Sequence, residues 1–143
     1  MSAPFVEPLR DVVACLDRLA VPFFVAGSVA STMHGEIRTT QDVDLVAEIE
    51  EPLVRPMVES LRDRHYVDEA SVLEAVRQRS SCNLIHLATA FKVDQFVRRE
   101  RPFSRSEMAR RECVDVGGLS LPMATAEDCV LTKLEWFAKG GQA

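Results

Sequence analysis

Hydrophobic spacing divides the chain into short segments of two kinds. Leu9, Val12, Val13, Leu16 and Leu19 recur at three- and four-residue intervals, which predicts a helix over 9–19 with one buried face. The run "VPFFVAG" (21–27) is apolar without a break and ends in glycine, the pattern of a strand covered on both sides. Ser28 stands where a helix N-cap belongs, and Gly35 where that helix would stop. In "DVDLVAEI" (42–49) the period changes to two. Val43, Leu45, Ala47 and Ile49 fall on one face, and Asp42, Asp44, Val46 and Glu48 on the other. Pro52, with Leu53, Val54, Met57, Val58 and Leu61 behind it, predicts another helix. Ser71 with Glu74 reads as a capping box for a short one after it.

The second half of the chain is richer in strand patterns. "NLIHLATAFKVDQFV" (83–97) reads as one or two neighbouring strands. Phe91, Val93 and Val97 take one side; Lys92 and Asp94 take the other, shared with Phe96. Ser104 with Glu107 marks a further helix start, and "CVDVGGLSLP" (113–122) is a hairpin pattern around Gly117-Gly118. Thr125 with Asp128 opens a final helix that stops at Gly140. Helices and strands interleave first and hairpin-type strands follow, which predicts an α/β (α+β) domain with a small mixed sheet flanked by helices.

Composition narrows the class only slightly. The 143 residues suffice for one domain, 1–143, and no repeat or low-complexity linker divides them. No apolar run approaches the ~20 residues of a membrane span, and "MSAPFVEPLRDVV" lacks a signal-peptide layout, so a cytoplasmic protein is expected. A formal net charge of −5 argues against attachment to nucleic acid by overall charge. Four scattered cysteines without a CxxC pair predict free thiols and no zinc site.

The chemistry of interest is carried by carboxylates. Asp42 and Asp44 point the same way from one strand, roughly 6 to 7 Å apart at Cα. Like charges at that spacing repel, and burial raises the cost. A divalent cation offsets both effects, since Mg²⁺ takes oxygen ligands from a few carboxylates and from substrate phosphates. Asp94 stands in a similar setting on a later strand. If the two strands are neighbours, three acids converge into a set able to hold metals for phosphoryl or nucleotidyl transfer. Taken alone, the pair is explained better by an edge strand with two solvated aspartates. Gly27-Ser28 adds a second element, because a glycine at a strand end and the following helix N-terminus form a phosphate cradle.

This constellation resembles the nucleotidyltransferase superfamily of polymerase-beta-like enzymes: strand, Gly-Gly/Ser, helix, then apolar–Asp–apolar–Asp/Glu–apolar, then a distal Asp. More narrowly, "VAGSVASTMHGEIRTTQDVDLV", "FKVDQF" and "ATAEDCVLTKLEWF" are similar to a small bacterial and archaeal group related to AbiE-type toxin nucleotidyltransferases. The resemblance implies Asp42, Asp44 and Asp94 as catalytic metal ligands for Mg²⁺ or Mn²⁺. Asp94 would also serve or position the base for the acceptor. Gly27, Ser28, Arg38 and Lys133 would bind the nucleoside triphosphate, ATP or GTP. The implied reaction moves a nucleoside monophosphate to an acceptor, which is a protein, a tRNA or a small molecule such as an aminoglycoside. Relatives of this kind continue past the lysine helix with more helical sequence, whereas this chain ends at Ala143.

A second class of function fits the same fold: a non-catalytic nucleotide- or partner-binding module, as in one half of a toxin–antitoxin pair. Partners would then be a second copy of the chain or a cognate antitoxin. The arginines Arg98, Arg99, Arg101, Arg105, Arg110 and Arg111 read better as a solvated basic stretch balanced by Glu100, Glu107 and Glu112 than as an RNA groove. His34 and His86 read as packing or hydrogen-bonded residues, and Trp136 and Phe137 as core or a dimer contact.

Overall fold

The computed structural model describes residues 6–26 and 42–140. The predicted helix behind Ser28, and with it Gly27, Arg38 and His34, lies outside the described residues. The first helix, α1 (Val6–Arg18), starts three residues before the spacing predicts, because Val6 extends the same buried face by a turn. Strands β1 (Phe23–Ala26) and β2 (Asp42–Ala47) follow. A 3-10 turn (Glu51–Leu53) holds Pro52 and leads into α2 (Val54–Leu61). Next come β3 (His65–Tyr66), α3 (Glu69–Gln78), β4 (Ser81–His86) and β5 (Lys92–Val97). The described chain closes with α4 (Pro102–Arg110), β6 (Glu112–Val116), β7 (Leu119–Met123) and α5 (Ala126–Ala138).

The described strands form one mixed sheet in the order β3-β4-β5-β2-β1-β7-β6. β2 runs parallel to β5 and antiparallel to β1, and β1 runs parallel to β7. Hairpins β4–β5 and β6–β7, with β3 antiparallel to β4 at the edge, complete it. Gly117 and Gly118 both take positive φ at the tight β6–β7 turn, a conformation that β-carbon-bearing residues avoid.

One face of the sheet carries the main core. Val25, Val43, Leu45, Leu84 and Val93 meet Leu9, Leu16, Met57, Leu61 and Val72 there, supplied by α1, α2 and α3. The other face has a smaller apolar patch: Phe24 with Met108 of α4 and Ala124, flanked by Val46 and Cys129. Phe23, Phe24 and Val25 are all buried, so β1 is covered on both sides as its unbroken apolar run implies.

Two ion pairs tie α4 and its leading residue to α5. Arg110 forks onto the buried Asp128 at 2.6 and 3.0 Å, and Arg101 onto Glu135. Thr125 caps α5 by accepting from the Asp128 amide at 3.1 Å, as its sequence signature predicts. No described helix is long and apolar enough to cross a membrane.

Two helix starts differ from the sequence reading. α3 begins at Glu69 behind Asp68, and Ser71 donates its hydroxyl proton to the Asp68 carboxylate instead of opening the helix. α4 begins at Pro102, so Ser104 lies inside it and is buried. In both cases an upstream residue already suited to the first turn, an acid or a proline, starts the helix earlier. Trp136 and Phe137 are 49% and 69% exposed on α5, which removes the core reading for them.

Gln95 is out of place in the main core. It is fully buried, its amide nitrogen reaches only the Met57 sulfur at 3.6 Å, and its carbonyl oxygen has no partner among the described residues. A buried polar atom left without a hydrogen bond costs about 1–3 kcal/mol. Gln95→Leu is therefore expected to raise the free energy of unfolding by about 1 kcal/mol in urea titrations. A loss of stability would show that the amide is satisfied in solution.

Candidate active site

The sheet face opposite the main core is organised in rows, because in-register partners on neighbouring strands project their side chains the same way. Lys92 stands beside Asp42, and Ile85 beside Lys92. The next row holds Asn83, Asp94, Asp44 and Ala26, one from each of four adjacent strands. The third row is Ser81, Phe96, Val46 and Phe24. Asp44 and Asp94 are thus direct neighbours across a parallel strand pair, about 4.8 Å apart at Cα. Asp42 lies one row away on the same face.

Electrostatics follow from this crowding. The Asp44 carboxyl is pushed up to about 6 by burial first, then by the charges of Asp94 and Asp42, against the opposing pull of Lys92. Asp94 is raised as well, by burial and by Asp42, while Lys92 holds it back with its ammonium 3.7 Å from Oδ1. Lys92 therefore acts on both Asp44 and Asp94. Among the described residues, no three His, Cys, Asp or Glu side chains already stand together as a ready-made metal set.

Of the residues picked from sequence, Asp42, Asp44 and Asp94 come to one face, with two of them adjacent. Gly27, Ser28 and Arg38 lie outside the described residues. Lys133 is on α5, exposed, and near enough to Cys129 for its charge to favour the thiolate there. Cys82, one residue from the polar row, is buried, and burial with the Asp94 charge pushes its thiol up to about 11, which disfavours the thiolate. Four of the six arginines in the stretch are held in ion pairs, Arg98 with Glu48, Arg105 with Glu100, Arg110 with Asp128 and Arg101 with Glu135, while Arg111 donates to the Met108 carbonyl. His86 is buried and hydrogen-bonded to Thr89 at 2.8 Å.

Sequence reasoning passes over two groups here. Asn83 joins the row of acids only through the β4–β5 pairing, which the run 83–97 does not specify. Glu107, a capping partner by its spacing, is a perturbed acid beside the third row. Its carboxyl is pushed up to about 7 by burial and by Asp128, against a weak hydrogen bond from Thr132 and the charge of Arg110.

A carboxyl that ionises later in the native state than at its ordinary 4.5 disfavours folding once charged. Between about 4.5 and about 7 the unfolded chain gives up this proton first, so stability is expected to fall as pH rises through that window. Thermal midpoints of wild type and Glu107→Gln measured from pH 5 to 8 check this. The variant should lack that part of the decline and melt higher at pH 8.

Comparison by sequence finds no matching family model and no curated relative. Comparison of structures does find likenesses. A candidate nucleotidyltransferase from Thermotoga maritima superposes with a TM-score of 0.59 at 17% identity, covering 98% of this chain and 89% of that one. The lincosamide antibiotic adenylyltransferase LnuA, with lincomycin bound, matches at 0.57 and 11%, over 87% of this chain and 83% of its own. An antigenic nucleotidyltransferase-like protein from Paracoccidioides brasiliensis matches at 0.62 and 17%, over 99% of this chain and 71% of its own. At these identities the likeness is one of fold: the chain has the mixed α/β architecture of nucleotidyltransferases.

Proposed function

We propose that the chain is a nucleotidyltransferase that moves a nucleoside monophosphate from a nucleoside triphosphate to an acceptor. The observation that carries this is the in-register pair Asp44–Asp94 with Asp42 on the same face, the three charges raising one another's cost. The fold shared with nucleotidyltransferases supports it, and LnuA shows that an adenylyltransferase can be built on such a frame.

The donor set fits Mg²⁺ or Mn²⁺: oxygen ligands only, on adjacent strands, with mutual repulsion that a cation would relieve. Asp42, Asp44 and Asp94 would hold the cation, and side-chain rotations would complete a set that is not preassembled. A cation bound there supplies charge neutralisation for the triphosphate and lowers the pKa of the acceptor hydroxyl. Asp94, on the strand farther from β1, orients the acceptor and receives its proton. Gly27 and Ser28, directly after β1, would cradle the phosphates, with Arg38 and Lys133 as further phosphate contacts.

The free cysteines Cys15, Cys82, Cys113 and Cys129 suit a reducing, cytoplasmic setting. The narrower likeness to AbiE-type toxins, and the toxin–antitoxin role with it, rests on the strings around residues 25–46, 91–96 and 124–137.

The test is calorimetric titration with Mg²⁺ and with each nucleoside triphosphate. Binding of both, with heat from nucleotide only when the cation is present, is the expected result. Binding of neither removes the proposal. One observation favours the non-catalytic alternative: Lys92 already contacts Asp94, where a cation would sit. Under that alternative, nucleotide binds equally well with EDTA present.

A further inference from the structure

A cavity of about 280 Å³ opens on the same sheet face as the acids, in the third row. Its floor is Val46 and Phe96, each two residues beyond Asp44 and Asp94 on the same strands. Ser81 of β4 continues the floor, Ser104 and Glu107 of α4 wall it, and Arg99 stands at the rim. We infer that this cavity binds the acceptor, and that the acceptor is a small hydroxylated molecule with one apolar ring face, not a polymer. The inference rests on the nucleotidyltransferase reading and adds the substrate class to it.

Three observations carry it. The first is position. In-line displacement puts the acceptor and the leaving pyrophosphate on opposite sides of the transferred phosphorus. The sequence places the phosphate cradle at Gly27, next to Ala26 on the β1 side of the acids. The cavity lies away from β1, over β2, β5 and β4.

The second is chemistry. Phe96 is an aromatic ring left 40% exposed at a position facing the cavity, suited to cover the flat face of a ring. Ser104 and Glu107 stand across from it as hydrogen-bonding groups. The Glu107 carboxyl is raised towards neutrality, so it can donate to an oxygen as well as accept.

The third is what is missing for a polymer. The cavity is walled by α4, and its volume falls just below the roughly 300–1,000 Å³ of ordinary small-molecule sites. A nucleic-acid strand needs a track of unspent cations. Here four of the six arginines of the stretch, Arg98, Arg101, Arg105 and Arg110, are each held by an acid, and Arg99 at the rim is a single charge and not a track.

In the step so assigned, the acceptor hydroxyl oxygen bonds to the α-phosphorus. The bond from that phosphorus to the bridging oxygen breaks, pyrophosphate leaves with the electron pair, and the hydroxyl proton passes to Asp94.

The experiment uses the full chain, Mg²⁺ and nucleoside triphosphates labelled at the α-phosphate. Acceptors are offered separately as the small-molecule ultrafiltrate of a bacterial extract, as total RNA and as the retained protein. Label is expected in the ultrafiltrate alone. Phe96→Ala, which removes the ring, and Ser81→Trp, which fills the cavity from an exposed strand position, should each cut that transfer about tenfold or more. Both should keep the wild-type melting midpoint and nucleotide affinity.

Label on RNA or protein, no labelled product despite nucleotide binding, or full transfer by Ser81→Trp each overturns the acceptor assignment. A wild type that binds neither cation nor nucleotide instead overturns the reading beneath it.

Discussion

Asp44→Ala is expected to cut nucleotide transfer sharply while making the protein more stable. Asp44 sits between Asp94 across the strand gap and Asp42 along its own strand, and burial adds to their repulsion. Its carboxyl is held at about 6 where an ordinary aspartate lies at 3.8. Above about 6 the native state carries a charge it disfavours, and that cost builds up as pH rises through the window from about 4 to about 6. Removing the side chain removes the cost, so the melting midpoint at pH 7.5 should rise.

Transfer should fall by a factor of at least about a hundred, since a metal ligand supplies several kcal/mol of transition-state stabilisation. Cation affinity in the wild type should likewise weaken below about pH 6, where protons compete for Asp44. A variant that loses activity and stability together would point to a structural role. One that keeps activity would remove Asp44 from the chemistry.

Phe24→Ala is expected to be the most damaging single truncation for the fold. Phe24 is fully buried on the acid-bearing face of the sheet, where it joins Met108, Ala124, Val46 and Cys129. That patch is much smaller than the main core, so few neighbours are available to close a cavity. Phenylalanine-to-alanine changes in cores cost about 3–5 kcal/mol, against a total of about 5–15 kcal/mol for a domain. Urea unfolding followed by circular dichroism should show a loss in that range. Phe24→Leu should cost less than about 1.5 kcal/mol. A cost below about 1 kcal/mol for the alanine would mean that α4 and α5 are held by the Arg110–Asp128 and Arg101–Glu135 pairs alone.

Alternation alone makes the acids legible in the sequence. With Val43, Leu45 and Ala47 needed in the core, Asp42 and Asp44 must share the other face, and they do. The same rule puts Asp94 opposite Val93 and Val97. Periodicity within a segment carries no information about which segments become neighbours, so the adjacency of Asp44 and Asp94, and of Asn83 with them, appears only in the sheet order. Two-residue β3 is too short to leave a period at all. Glu107 is hidden because Ser104 and Glu107 match a capping pair by spacing, while Pro102 has already started that helix. The exposure of Val130, Leu134 and Phe137 on α5 is equally out of reach, since an apolar helical stripe reads as core whether or not anything covers it.

The parallel pairing of β2 with β5 also sets when the site comes into being. Asp44 and Asp94 lie fifty positions apart in the chain. The entropy of closing that loop must be met before any strand contact rewards it. The hairpins β4–β5 and β6–β7 close over a few residues and can form early. By that cost β2–β5 is expected to pair after the hairpins, and it brings like charges together as it zips. Chains that have formed only the hairpins therefore hold paired strands without holding the site. A ligand that recognises the assembled acids then slows unfolding and leaves the folding rate almost untouched.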